Sequence, residues 1–246
     1  MSKLTRLIIL TALLFTSIFY TYAQVENFTT QTNAFLKQYV SQGFVNYKAI
    51  QQQPAQLEAL TNLISNIKFK NLQGNEQKAA LINAYNVLVI KGVVNAYPIN
   101  SPLEVKGFFK EQKYNVGGEL MTLDYLEKEF LFKNHPDAKL HFALVCAATG
   151  CPKLSSMVYQ ANMLDKQLEM QTRKTLNNGN FIRQTGDTVF LSEIFKWYRQ
   201  HFEADSKDVI SFINKYRSRN IDANSKVDYY TYVWELNEPR RLSNSK

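Results

Sequence analysis

Cys146 and Cys151 are the only cysteines in the chain. They sit five residues apart in His141-Phe142-Ala143-Leu144-Val145-Cys146-Ala147-Ala148-Thr149-Gly150-Cys151-Pro152. A thiolate is both a nucleophile and a redox group. The apolar run after His141 reads as a buried strand, Thr149-Gly150 as the turn that ends it, and Pro152 as a residue that can open a helix. A thiol at such a junction meets amide donors that lower its pKa. Cys151 is the first candidate nucleophile and Cys146 the second. His141 is the nearest candidate base, with Glu127 or Asn83 to orient it. On a regular strand His141 and Cys146 have opposite parity and face opposite sides. Five strand residues at ~3.3 Å each also carry the chain about 16 Å from His141 before the turn. A direct contact therefore needs a bulge or a fold-back, and His135 and His201 stay open as bases. In an oxidising compartment the same two cysteines suit a disulfide. Its loop is so short that it adds little stability.

A second set of residues suits binding rather than catalysis. Asn83, Tyr85 and Asn86 are polar groups in an otherwise apolar segment and need partners if buried. They can brace neighbouring loops or orient a ligand. Trp197, Tyr198 and Trp234, with Tyr85, could line a pocket for a peptide or small molecule. Three scattered histidines and two cysteines have no metal-ligand spacing. No glycine-rich phosphate loop or Gly-x-Ser-x-Gly elbow is present. No metal and no cofactor is expected.

The elements that must position these residues are mostly helices. Phe28 to Tyr39 has helical spacing, Gly43 to Tyr47 a short extended exit, and Pro54 opens a further helix over Leu57, Leu60, Ile64 and Ile67. Residues 76–97 are apolar on most sides and read as a buried central helix. The Gly117-Gly118 pair predicts a hairpin, and Leu123 to Leu131 a helix carrying Glu127, Lys128 and Glu129. Met163 to Leu176 is amphipathic. A second hairpin turns at Gly186-Asp187. Ser192 can cap a helix from Glu193 to Phe202, and Asp205 or Ser206 one ending at Tyr216. Val227 to Trp234 closes the chain as a strand. The expected fold is α+β: one mainly helical domain with hairpins and a small, mainly antiparallel sheet.

The first 23 residues have the layout of a signal peptide. Lys3 and Arg6 precede an apolar run from Leu7 to Phe19, and Thr21-Tyr22-Ala23 gives a small-residue cleavage site. The mature domain is then 24–246, exported to the periplasm or the medium, with a polar tail from about residue 239. No later segment reads as long and apolar enough to cross a membrane, so no stable anchor is expected after cleavage. The net charge of the whole chain is +8 at pH 7. Removing Lys3 and Arg6 leaves 27 cations against 21 anions. These charges are dispersed, unlike a nucleic-acid stripe, and no nucleic-acid partner is expected. The oligomeric state is not legible.

Taken together, Gly43 to Tyr47, Ile82-Asn83-Ala84-Tyr85-Asn86, Leu123 to Phe130, His141 to Leu154 and Leu191-Ser192-Glu193-Ile194-Phe195-Lys196-Trp197-Tyr198 resemble the DUF547 family, a domain named for its unknown function. The fold of that family has been compared with papain-like cysteine peptidases, so the resemblance implies a cysteine hydrolase. Two positions depart from the family pattern: Leu81 stands where Trp is usual, and Lys128 where a His usually follows the glutamate matching Glu127. Cys146 is the more regular of the two cysteines, since related chains can carry a small residue in place of Cys151. The expectation is a cysteine-centred site acting on a carbonyl, peptide-like or thiol/disulfide substrate. The alternative is a non-catalytic module that binds a peptide or small molecule, with Cys146 and Cys151 structural.

Overall fold

A computed structural model describes residues 22–239. The expected leader (apart from its last two residues) and nearly all of the polar tail lie outside the described residues. Helix α1 (22–39) runs into a two-residue hairpin, β1 (Val40–Ser41) and β2 (Phe44–Val45), and then into α2 (Tyr47–Gln52). Helix α3 (Ala55–Asn66) begins directly after Pro54, where the fixed proline φ suits a helix start.

Helix α4 (Gly74–Ala96) is the axis of the fold. Nearly every residue from Lys78 to Val94 is buried, which an apolar sequence without a polar stripe requires. By length and composition this helix could cross a bilayer, contrary to the sequence expectation; 83% of its most apolar window is instead buried inside the protein. Gly92 lies where Phe108 and Tyr114 press against it, and a Cβ there would meet the Tyr114 hydroxyl at 2.6 Å.

The first glycine hairpin forms as expected, from β3 (Lys113–Val116) and β4 (Glu119–Thr122). Thr122 then caps α5 (Leu123–Tyr125), its Oγ1 accepting from the Tyr125 amide at 3.1 Å. The predicted regular helix to Leu131 does not continue in α form. Residues Leu126–Phe132 are a π-helix, a widened turn frequent at functional sites.

The largest correction concerns His141 to Ala148. The expected strand is instead a short helix, α6 (Leu140–Ala143), followed by irregular chain with one isolated bridge, Ala148 to Leu236. A short, wholly buried apolar run has no periodicity to separate helix from strand. No helix follows Pro152 directly; the next long one is α7 (Leu164–Leu176).

Strands β5 (Ile182–Thr185) and β6 (Thr188–Ser192) make the second hairpin, and β7 (Lys226–Tyr230) joins β6 in parallel. That strand stops four residues short of Trp234. The expected helix from Glu193 to Phe202 divides into α8 (Ile194–Trp197) and α9 (Arg199–Asp205). Asp208, not Asp205 or Ser206, caps α10 (Val209–Asn214), accepting from the Ser211 amide at 2.7 Å. The molecule is α+β and mainly helical, as expected, with its antiparallel pairing in small sheets.

Candidate functional site

Helix α4 positions the site through side chains the sequence marked as needing partners. Asn86 donates to the Ala143 carbonyl at 3.0 Å and accepts from the Val145 amide at 3.0 Å. Its amide thus replaces a backbone ladder for the segment entering Cys146. Asn83 does the same for Tyr159, with bonds of 2.8 and 3.0 Å. Both asparagines brace loops, and neither lines the pocket described next. Tyr85, between them, does line it.

That pocket encloses about 80 Å³. Its polar floor is Glu127, whose carboxylate accepts from Tyr85 Oη at 3.0 Å and Tyr198 Oη at 3.3 Å. Burial pushes the Glu127 carboxyl above its ordinary range, against the two tyrosine hydrogen bonds and the Lys128 charge. Lys128 itself pairs with Asp124 at 2.6 Å and is half exposed, outside the pocket lining.

The imidazole that does line the pocket is His141. It is buried, lies 4.0 Å from the Tyr198 ring and stacks on Phe132 at 4.6 Å. His141 Nε2 and His201 Nδ1 share a hydrogen bond of 2.8 Å, and His201 is exposed. Burial, and then the neighbouring His201, hold His141 well below the usual imidazole pKa, so it is neutral at pH 7. His135 lies elsewhere, bonded to Gln77 at 2.7 Å.

Cys146 and Cys151 are joined by a disulfide and both line the pocket. The loop between them bends through Ala147 at φ 61°, a left-handed conformation uncommon for a residue with a Cβ. Gly150 meets the C-terminal segment so closely that a Cβ would lie 2.9 Å from the Val233 backbone. Tyr232, on that segment, brings one hydroxyl to 3.0 Å from Cys146 Sγ and 2.9 Å from Cys151 Sγ. The Cys146 amide also points at Cys151 Sγ, at 3.0 Å. Cys146 is part-exposed and Cys151 buried. Trp197, Tyr232 and Trp234 close the wall, their rings 4.9 to 6.2 Å apart.

The structure thus brings Tyr85, Glu127, His141, Cys146, Cys151, Trp197 and Tyr198 to one pocket and leaves Asn83 and Asn86 behind it. The parity argument that separated His141 from Cys146 fails because there is no strand. Sequence reasoning did not single out Tyr232, whose short extended segment carries no motif. No cluster of three or more His, Cys, Asp or Glu side chains suited to a metal ion occurs among the described residues.

The family profile described as a protein of unknown function, DUF547, matches residues 69–176. The similarity to DUF547 lies in that segment. The DUF547 match carries Tyr85, Glu127, His141 and both cysteines, whereas Trp197, Tyr198, Tyr232 and Trp234 come from chain beyond it. No curated protein and no solved structure matched the chain.

Proposed function

We propose that the pocket is a thiol–disulfide exchange site, serving a thiol or disulfide on a small molecule or peptide in the compartment to which the expected leader directs the protein. The observation that carries this reading is the disulfide forming the pocket wall, with the Tyr232 hydroxyl against both sulfurs. A five-residue loop gives its disulfide little stabilising value, whereas a pocket gives it a substrate.

The greater exposure of Cys146 as a residue favours it for entry, although the sequence ranked Cys151 first. An incoming thiolate forms a bond to Cys146 Sγ, and the S–S electron pair leaves on Cys151 Sγ. Tyr232 Oη–H and the Cys146 N–H stabilise that thiolate. Burial raises the Tyr232 phenol pKa, so it donates a hydrogen bond and keeps its proton. A second substrate thiol then resolves the mixed disulfide, which oxidises two thiols to one disulfide and leaves a protein dithiol. The reverse sequence reduces a substrate disulfide. Attack on a carbonyl is less well supported, since neither sulfur hydrogen-bonds a histidine among the described residues.

The binding-module alternative draws on Trp197, 46% exposed at the pocket rim. Equilibration with defined thiol/disulfide buffers, followed by alkylation and mass spectrometry, separates the two. An exchange site has a potential above about −300 mV, within reach of cellular thiol pools. A bridge that stays oxidised below that value, in protein that still binds its ligand, is structural.

A further inference from the structure

On another side of the Cys151-Pro152 loop lies a second cavity of about 290 Å³, between the end of α7, the β5–β7 sheet and residues 233–235. Lys153, Lys174 and Arg183 all line it, with Glu235 the one carboxylate among the lining residues. None of the three cations has an ion-pair partner among the described residues. Lys153 instead lies 3.8 Å over the Phe44 ring, and Arg183 lies 4.5 Å over Tyr230 and donates to the Asn180 carbonyl at 3.4 Å. Lys153 is partly buried beside the like charge of Lys174, and both effects hold its ammonium below its ordinary pKa. Three cations around one concave place raise its positive potential, which an anion relieves.

The remaining polar groups also offer donors. Asn178 Oδ1 already accepts from the Asn180 amide at 2.9 Å, which leaves this side chain its NH₂ group. Thr149, on the same lining, has a buried hydroxyl with no hydrogen-bond partner among the described residues.

We infer that this cavity is a binding site for a small oxyanion, a carboxylate or a phosphate, held by Lys153, Lys174 and Arg183. The inference goes beyond the exchange reading and stands whether or not the disulfide turns over.

Isothermal titration of the purified protein with inorganic phosphate and with succinate, at fixed ionic strength, tests it. Lys174→Gln and Arg183→Gln lie on exposed positions and remove charge without touching the core. Each is expected to weaken binding about tenfold, the loss of one charge-assisted contact. Lys166→Gln, exposed on α7 outside the cavity, is expected to bind as the native chain does. Binding of phosphate alone assigns the site to phosphate-bearing ligands, and binding of both probes to oxyanions in general. No saturable binding of either probe overturns the inference. So does equal weakening by all three variants, which would mean diffuse surface charge.

Discussion

Tyr232 places a single hydroxyl against both sulfurs of the bridge, so its removal separates a chemical role from a packing one. Tyr232→Phe keeps the ring that packs between Trp197 and Trp234. It takes away a donor that favours the Cys151 thiolate formed on reduction. The reduced state loses about 1.4 kcal/mol, so the potential should fall by about 30 mV and exchange should slow about tenfold. Redox titration and stopped-flow exchange with a small thiol measure the two. An unchanged potential in a folded variant would assign Tyr232 to packing alone. The paired-tyrosine hold on Glu127 belongs to the same scale, since a partly buried carboxylate needs those hydroxyls to remain in the pocket.

At the scale of elements, the site depends on α4 holding a segment that has little secondary structure of its own. Asn86→Ala would strand the Ala143 carbonyl and the Val145 amide, both buried. Each such group costs about 1–3 kcal/mol when left unpaired, so denaturant unfolding should register a loss of roughly 2–6 kcal/mol. Because Cys146 follows directly, the variant should also show faster alkylation of its cysteines under reducing buffer. A loss below about 0.5 kcal/mol would mean that α6 and its exit hold themselves. The buried Lys78–Asp137 pair, at 2.5 Å, is a second tether from α4 to the same region, just before α6. The π-helix has a related role: it continues α5 with a widened turn while Glu127 reaches Tyr85 on α4.

The whole molecule should record the buried imidazole in its response to pH. His141 has a folded pKa well below 6.5, so between that value and 6.5 the unfolded chain binds a proton that the native chain does not. Stability is therefore complete above about pH 6.5 and falls as pH drops below it, by up to about 1.4 kcal/mol per unit. His201 is shifted in the same direction by burial, though it is exposed enough for solvent to weaken the effect. Glu127 acts oppositely, because its raised pKa makes the native state hold a proton that the unfolded chain has released. Thermal unfolding from pH 7 to pH 5 should show a decline that His141→Phe flattens, with Phe filling the space between Phe132 and Phe202. A decline of equal slope in the variant would move the linkage to other groups. Also at this scale, residues 232–238 tie the β1–β2 hairpin to the loop between the cysteines. Val45 donates to the Asn237 carbonyl at 2.9 Å, and Asn237 donates to the Ala147 carbonyl at 2.9 Å.

Long or strongly patterned segments were legible in the sequence by itself. The central helix 76–97 appears as Gly74–Ala96, Pro54 precedes α3, and Gly117-Gly118 and Gly186-Asp187 turn the two expected hairpins. Local propensity and periodicity suffice there because many residues repeat one signal. The DUF547 resemblance was also legible, in motifs that the matched segment contains in part. Only the tertiary structure decided that His141 lies in a helical turn, that the cysteines bridge at a pocket wall, and that Tyr232 and Trp234 close that wall. Short buried runs carry no period of their own, and a pocket drawn from residues 85, 127, 146, 197 and 232 exists only once α4 and its asparagines have fixed the loops around it.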